Sequence, residues 1–331
     1  MDRPMTRVTR RAFAGALLLA PAIMPSLARA QSPRPVRIGG GLSVEAPQFA
    51  LAQERDLFGA AGLAPAVTNF PTGREAFEAL IGGQVDLAMM AELPVVVGAL
   101  RAQKFGVVGT LSRYRGMRIV TKKQGGTAPM LATLAGRKFG VTLGTNTHFM
   151  LMSELATAGI QAEIVNIGPA DLIAALARGD VDAAAPFPNA YAGTRRALGA
   201  DYAEIPVRSY QPTYLLVASE AFVRDVDVTG RFLSALLKAE AAMATETEAA
   251  QAAAARLAGR AQNLEAVRAA WPDYDARISL DRPLLDLMER EGRWLAETGA
   301  ARGASTEPAV FRAAIAEAPL RAVMPDRVTL D

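Results

Sequence analysis

The chain has 331 residues, a formal charge of +3 and 51% apolar residues, with no cysteine and one histidine. That composition allows an ordinary hydrophobic core but excludes disulfides, thiolate nucleophiles, Cys-ligated metals, a lipoprotein anchor and a His-cluster metal site. Five arginines and one aspartate fall in residues 1–30, so the charge without that segment is −1, and no basic patch with interleaved aromatics remains to support nucleic-acid binding.

The first predicted element is an address label. Thr9-Arg10-Arg11-Ala12-Phe13 leads into an apolar stretch, Ala12 to Met24, followed by Ala28-Arg29-Ala30. A charged start, an apolar run too short to span a bilayer and an A-x-A site predict a signal peptide over residues 1–30, cleaved to leave Gln31 first. The paired arginines resemble a twin-arginine export signal, which implies the twin-arginine export machinery as a partner. The expected product is a soluble, periplasmic monomer. Its roughly 300 residues suffice for two domains.

Val36 to Ile38 then reads as a short strand running into Gly39-Gly40-Gly41. Pro47 to Phe58 has helical spacing, and Ala64 to Phe70 is the next strand. Glu75 to Ile81 is a helix closed by Gly82-Gly83, Val85 to Met89 a buried strand, Pro94 to Gln103 a helix and Gly106 to Thr110 a strand. Arg118 to Lys122 is extended. A second α/β unit follows: strands at 138–143, 162–165 and 181–185, and helices at 148–158, 170–177 and 189–198. Thr213 to Ala218 is a strand that could return to the first unit. From Phe222 the chain is mainly helical, a tail read as scaffold, with Trp294, Leu295 and Phe311 as anchors. Alternation of strands and helices with short loops predicts an α/β fold with mainly parallel sheets.

An internal repeat divides this pattern in two. Glu78 to Ala88 (EALIGGQVDLA) and Ala174 to Ala184 (AALARGDVDAA) match at an offset of 96 residues. Both read helix, glycine turn, then a strand opening Val-Asp. Gly83 and Gly179 suit the left-handed residue that ends a helix, and Asp86 and Asp182 are placed to bond nearby backbone N–H groups. The period is too long for a solenoid and fits two similar lobes. Two facing α/β lobes suggest a ligand cleft at the carboxyl ends of their strands.

The opening RIGGGLSVEAPQFALAQERDLF, the segment EALIGGQVDLA, the turn GTNTHFMLMSEL and the stretch AALARGDVDAAAPFPNAY together resemble the periplasmic solute-binding proteins of ABC importers, in the nitrate, alkanesulfonate, taurine and thiamine-pyrimidine group. The resemblance covers most of residues 36–220. It implies a type 2 periplasmic binding fold: two lobes, a two-segment hinge and a ligand in the cleft. The implied lobes are 36–119 plus 217–331, and 120–216. It also implies an inner-membrane ABC permease as partner, no cofactor and no catalysis. The alternative is an enzyme on the same fold acting on a small heterocycle or sulfur compound; the cysteine-dependent types of that kind are opposed by the absence of cysteine.

The ligand-binding residues expected on this basis come from the cleft loops. Ser43 and Glu45 lie in the first loop, and Glu92 follows the first Val-Asp strand. Thr145, Asn146, Thr147 and His148 lie between a strand and a helix, where hydroxyls and free N–H groups make an anion-friendly corner, although Thr and Asn there also suit simple capping. His148 is expected as a neutral hydrogen-bonding or stacking residue. Phe187 stands where the family usually has Trp and is either a stacking wall or core, with Asn189 close by. Two glutamates facing a ligand favour a cation or an amine-bearing heterocycle, whereas Arg113, Tyr114 and Arg115 near the hinge could hold an anion.

Overall fold

The computed structural model describes residue 1 and residues 32–40, 44–259 and 263–331. The chain divides into residues 1–32 and a compact unit, Pro33–Asp331, which holds every element named below. Residues 2–30 of the predicted signal peptide, and Ser43, lie outside the described residues.

In chain order the first strands are β1 (Arg34–Gly40), β2 (Leu63–Asn69), β3 (Leu87–Ala91) and β4 (Phe105–Tyr114). Between them run α1 (Pro47–Glu54), α2 (Leu57–Ala60), α3 (Gly73–Ile81) and α4 (Leu93–Leu100). The chain then builds a second sheet from β5 (Arg118–Lys122), β6 (Lys138–Val141), β7 (Glu163–Asn166), β8 (Ala183–Ala184) and β9 (Tyr202–Pro206). Its helices are α5 (Asn146–Thr157), α6 (Pro169–Arg178) and α7 (Tyr191–Leu198). The chain returns as β10 (Thr213–Ser219) and later supplies β11 (Tyr274–Asp275). The remaining helices are α8 (Glu220–Arg224), α9 (Val226–Met243), α10 (Thr247–Ala258), α11 (Leu264–Ala270), α12 (Arg282–Glu297), α13 (Pro308–Ala313) and α14 (Ala318–Val323).

The first sheet has the order β11-β4-β10-β3-β1-β2, the second β7-β6-β8-β5-β9. The predicted parallel units are there: β1 pairs in parallel with β2 and β3, and β6 with β7 and β8. Antiparallel strands are added where the chain passes between sheets. β10 lies antiparallel between β3 and β4, and β5 lies antiparallel between β8 and β9. A strand arriving from the other sheet runs against those delivered by local crossover helices, so both sheets are mixed. The result is two α/β lobes linked by residues 115–117 and 207–212.

The repeat recurs as geometry. In the first lobe the Asp86 carboxylate accepts from the Arg37 N–H at 2.8 Å, and the Asp86 N–H donates to the Arg37 carbonyl at 2.8 Å. In the second lobe Asp182 does the same with Lys138, at 2.9 and 2.8 Å. Each aspartate therefore pins the start of its strand to a parallel neighbour, β1 in the first lobe and β6 in the second. Gly83 and Gly179 adopt φ of 71° and 87°, the left-handed region that costs glycine least.

Two helices depart from the sequence pattern. The helix expected over 47–58 breaks into α1 and α2 at Asp56, which takes φ 51°. The helix after it begins earlier than expected, at Gly73, because Thr72 and Glu75 form a reciprocal capping box. The C-terminal helices are part of the first lobe's core. Phe232 of α9 stacks on Phe58 at 4.7 Å and Phe49 at 6.4 Å, all three fully buried. The segment after α13 also bonds back to β4, where Val107 and Ile315 form a bridge.

Candidate functional site

One cleft gathers loops from both lobes at the carboxyl ends of their strands. It is lined from the first lobe by Glu45, by Phe70 to Arg74 between β2 and α3, by Met90, Ala91 and Pro94, and by Ser112 and Tyr114 at the end of β4. From the second lobe come Thr145 and Asn146 and the run Phe187-Pro188-Asn189, and from the start of β10 come Pro212 and Tyr214. The space inside it, counting the part open to solvent, is about 780 Å³.

Two helix starts face this space. At α3, Thr72 caps the Glu75 N–H, which leaves the first N–H groups of the helix, at Gly73 and Arg74, outside its ladder. At α5, Thr145 occupies the cap position without using its side chain as a cap. Its hydroxyl donates instead to the Thr142 carbonyl at 2.7 Å and meets the Thr147 hydroxyl at 3.0 Å. The simple capping role therefore does not explain Thr145, and the helix start carries its partial positive charge toward the cleft. Arg74 is exposed at the mouth and reaches toward the second lobe, where a Cβ added to Gly144 would lie 3.7 Å from its guanidinium.

The rest of the lining is acidic and aromatic. Glu45 is half-buried; burial pushes its carboxyl up to about 7. Its charge bears on the phenols of Tyr114, Tyr214 and Tyr274 and raises all three further beyond the effect of their own burial. Its backbone carbonyl accepts from the Ser112 hydroxyl at 2.5 Å. Phe70, Tyr114, Phe187 and Tyr214 add flat apolar surface to the lining.

The structure thus brings Glu45, Thr145, Asn146, Phe187 and Asn189 onto one cleft, and Ser43 lies outside the described residues. Three other expected residues are not part of the lining. Glu92 is fully buried behind the wall, where it accepts from the Tyr210 hydroxyl and from the Thr213 N–H at 2.9 Å. Of the two glutamates expected to face the ligand, Glu45 lines the cleft and Glu92 does not. Thr147 is buried against Thr145. His148 turns toward the C-terminal tail: its Nδ1 accepts from the Gly144 N–H at 3.5 Å, and its ring meets Trp294 edge-on at 5.3 Å. Burial lowers its pKa, which favours the neutral ring. Of the hinge trio, Arg113 is tied to Asp281 at 2.6 Å and only Tyr114 lines the cleft; Arg115 lines a separate hollow beside the crossovers.

Sequence reasoning missed Phe70, Arg74 and Tyr214. A signal for Arg74 was available: PTGRE reads as a capped helix start, and its second residue projects beside the free N–H groups.

Two facing α/β lobes, crossed twice by the chain and enclosing a cleft, define the fold of the periplasmic binding proteins. Residues 46–250 match the NMT1/THI5-like family, well over half of the chain, and the chain belongs to that family. It is 32% identical over 128 residues to a taurine-binding periplasmic protein of Escherichia coli (strain K12), a match covering 37% of this chain and 39% of that protein. The match thus spans about two fifths of the relative's length. Among solved structures, the periplasmic aliphatic sulphonate binding protein SsuA from Escherichia coli superposes with a TM-score of 0.68 at 20% identity, covering 81% of this chain and 89% of that one. The alkanesulfonate-binding protein SsuA from Xanthomonas axonopodis pv. citri, bound to MOPS, gives 0.70 at 17% identity, covering 86% and 98%.

Proposed function

We propose that this chain is the soluble periplasmic solute-binding component of an ABC importer and captures a small sulfonate-type solute between its lobes. The observation that carries the reading is the cleft itself: two helix starts and Arg74 converge on a space walled by four aromatic rings. Helix N-termini and a guanidinium suit a compact oxyanion, and flat rings suit its organic body. The names of the taurine- and sulfonate-binding relatives support the same class. The lobes close about the two crossovers, 115–117 and 207–212, as a hinge, and closure supplies the affinity. The chain carries out no reaction; with no cysteine it has no thiolate to offer. An inner-membrane permease receives the closed, loaded form.

Glu45 favours a second feature, an amine on the same solute. A carboxylate at the acidic wall pairs with an ammonium while the helix starts hold the sulfonate. A thermal-shift panel of nitrate, ethanesulfonate, an aromatic sulfonate, taurine, small amines and an aminopyrimidine tests both. At about 100 times its dissociation constant, a true ligand adds roughly 2.7 kcal/mol of stability. A hit confined to amines and pyrimidines would remove the sulfonate assignment. The pH dependence separates the two ends. Glu45 is neutral below about 7 and charged above it, so ethanesulfonate should bind more tightly at pH 6 than at pH 8, and an amine the reverse. Glu45→Gln should flatten both profiles; a profile that survives in the variant places the titrating group elsewhere.

Export by the twin-arginine route is proposed from residues 9–13. Replacing Arg10 and Arg11 with Lys should leave the protein in the cytoplasm when cells are fractionated. Normal secretion of the double variant would sink that assignment.

A further inference from the structure

Glu92 and Glu291 stand outside the cleft lining, yet they are the most deeply buried acids among the described residues, each 0% exposed. Glu92 precedes α4; Glu291 comes from α12. The two donors to Glu92, the Tyr210 hydroxyl and the Thr213 N–H, both belong to the return crossover and the strand it opens. The two oxygens of Glu291 meet no nitrogen or hydroxyl donor among the described residues. The group they face is the carboxyl of Glu92, close enough to bond. Two carboxyls can bond to each other only when one of them carries a proton. Burial first, and the charge of Glu92 second, hold Glu291 well above the usual carboxylate range, and burial pushes Glu92 up as well. From its other side the Asn146 side chain, which lines the cleft, acts on the Tyr210 hydroxyl. Tyr210 therefore stands between the cleft lining, at Asn146, and the carboxyl pair, Glu92 and Glu291.

We propose that Glu92 and Glu291 share one proton and act as positioning residues for ligand capture, holding Asn146 and the return crossover in place through Tyr210. The proposal rests on the solute-binding reading above. It gives the buried pair a role that packing alone does not require, since two apolar side chains would fill the same space at less cost.

The charged and titratable groups around the pair are few. Tyr210 is kept protonated by burial and by the charge of Glu92. Arg290, exposed on α12, weakly opposes the shift of Glu291. Glu289 on the same helix is engaged by Arg282 at 3.6 Å and Arg293 at 3.8 Å. Arg312 on α13 is paired with Glu317. On α5 the titratable neighbour is His148, whose pKa burial lowers. Loss of the shared proton would leave two charges in contact in an apolar setting and push Glu92 away from the crossover.

The sign of the pH effect follows from which state holds the proton more tightly. The folded protein does, so the pair's stabilising contribution is complete below the ordinary carboxylate range and is lost as pH rises through the pair's own titration. Glu291→Gln keeps the shape and offers an amide donor to Glu92. Its melting temperature should therefore overtake that of wild type by about 2–4 °C at alkaline pH.

The test uses the full chain, first without ligand. Infrared spectra at neutral pH in a Glu45→Gln background, which removes the half-protonated Glu45 carboxyl, should show the carbonyl stretch of a protonated buried carboxyl, and adding Glu291→Gln should abolish it. Affinities for taurine and ethanesulfonate are then followed against pH in wild type, Glu291→Gln and Tyr210→Phe. Both wild type and Glu291→Gln retain Glu45, so the difference between their profiles isolates the pair. Wild type should fall away from Glu291→Gln as the pair ionises, and Tyr210→Phe should bind roughly fivefold more weakly at every pH. Absence of the protonated band, or parallel profiles with Tyr210→Phe binding as wild type does, overturns the proposal. If neither probe binds wild type, it is the solute-binding assignment that fails for these ligands. The infrared band and the pH dependence of amide exchange at Thr213 then still decide the shared proton and its hold on the crossover; a missing band or pH-independent protection overturns it.

Discussion

Arg74→Ala should weaken binding of ethanesulfonate by about tenfold and leave small amines unaffected or slightly improved. The guanidinium sits at the second position of a capped helix, beside N–H groups the helix does not use. Hydrogen bonds to charged groups contribute about 1.5–3 kcal/mol, and each 1.4 kcal/mol is tenfold in affinity. The exposed setting of Arg74 places it at the low end of that range. Alanine is a good helix former, so the capping box and α3 should survive the change. The effect should also shrink as salt is added, because an exposed charge is screened. Isothermal titration at two salt concentrations reads both effects. Equal losses for sulfonates and amines would mean that the substitution damages the cleft rather than removing an anion contact.

Phe232→Ala should destabilise the protein by about 3–5 kcal/mol, the range for deleting a buried aromatic ring. Phe232 is fully buried and stacks against Phe58 of α2 and Phe49 of α1. The ring therefore joins a helix from the C-terminal tail to two helices near the N-terminus of the compact unit. Chemical denaturation followed by circular dichroism measures the loss. A change below about 1 kcal/mol would show that α9 is a covering layer and not part of the core. Because none of Phe232, Phe58 and Phe49 lines the cleft, ligand affinity at temperatures where the variant stays folded should change little.

Much of this architecture was legible in the chain. β1, β3, β6 and β10 were readable because buried strands leave short apolar runs between turn residues. The repeat was readable because the same problem, ending a helix and pinning the next strand, is solved twice with Gly and Asp. The antiparallel placement of β5 and β10 was less legible, since pairing partners more than 60 residues away leave no local trace. Thr145 and Asn146 could be placed at the cleft because a strand-to-helix turn fixes where its residues point. Glu92 could not. It also follows a strand, but its residue already has helical backbone angles, φ −68° and ψ −34°, and its side chain turns inward to the crossover. Nor could Tyr210 and Glu291 be linked to it, because 118 residues separate Glu92 from Tyr210. Burial of an acid is decided by what three distant segments do together, and no window of sequence contains that information.

The place of β10 sets an order for the making of the molecule. A nascent chain complete to Pro206 has already delivered every strand of the second sheet, β5 to β9. At that moment the first sheet is still in two pieces, β2-β1-β3 and β4 alone, because the strand that joins them, β10, has yet to emerge. The lobe that begins the compact unit is therefore the one finished last, and it waits on a loop closure that spans the whole of its neighbour. Until residue 219 is available, the facing edges of β3 and β4 stay unpaired, and they are the surfaces on which a stalled or truncated chain would stick to others.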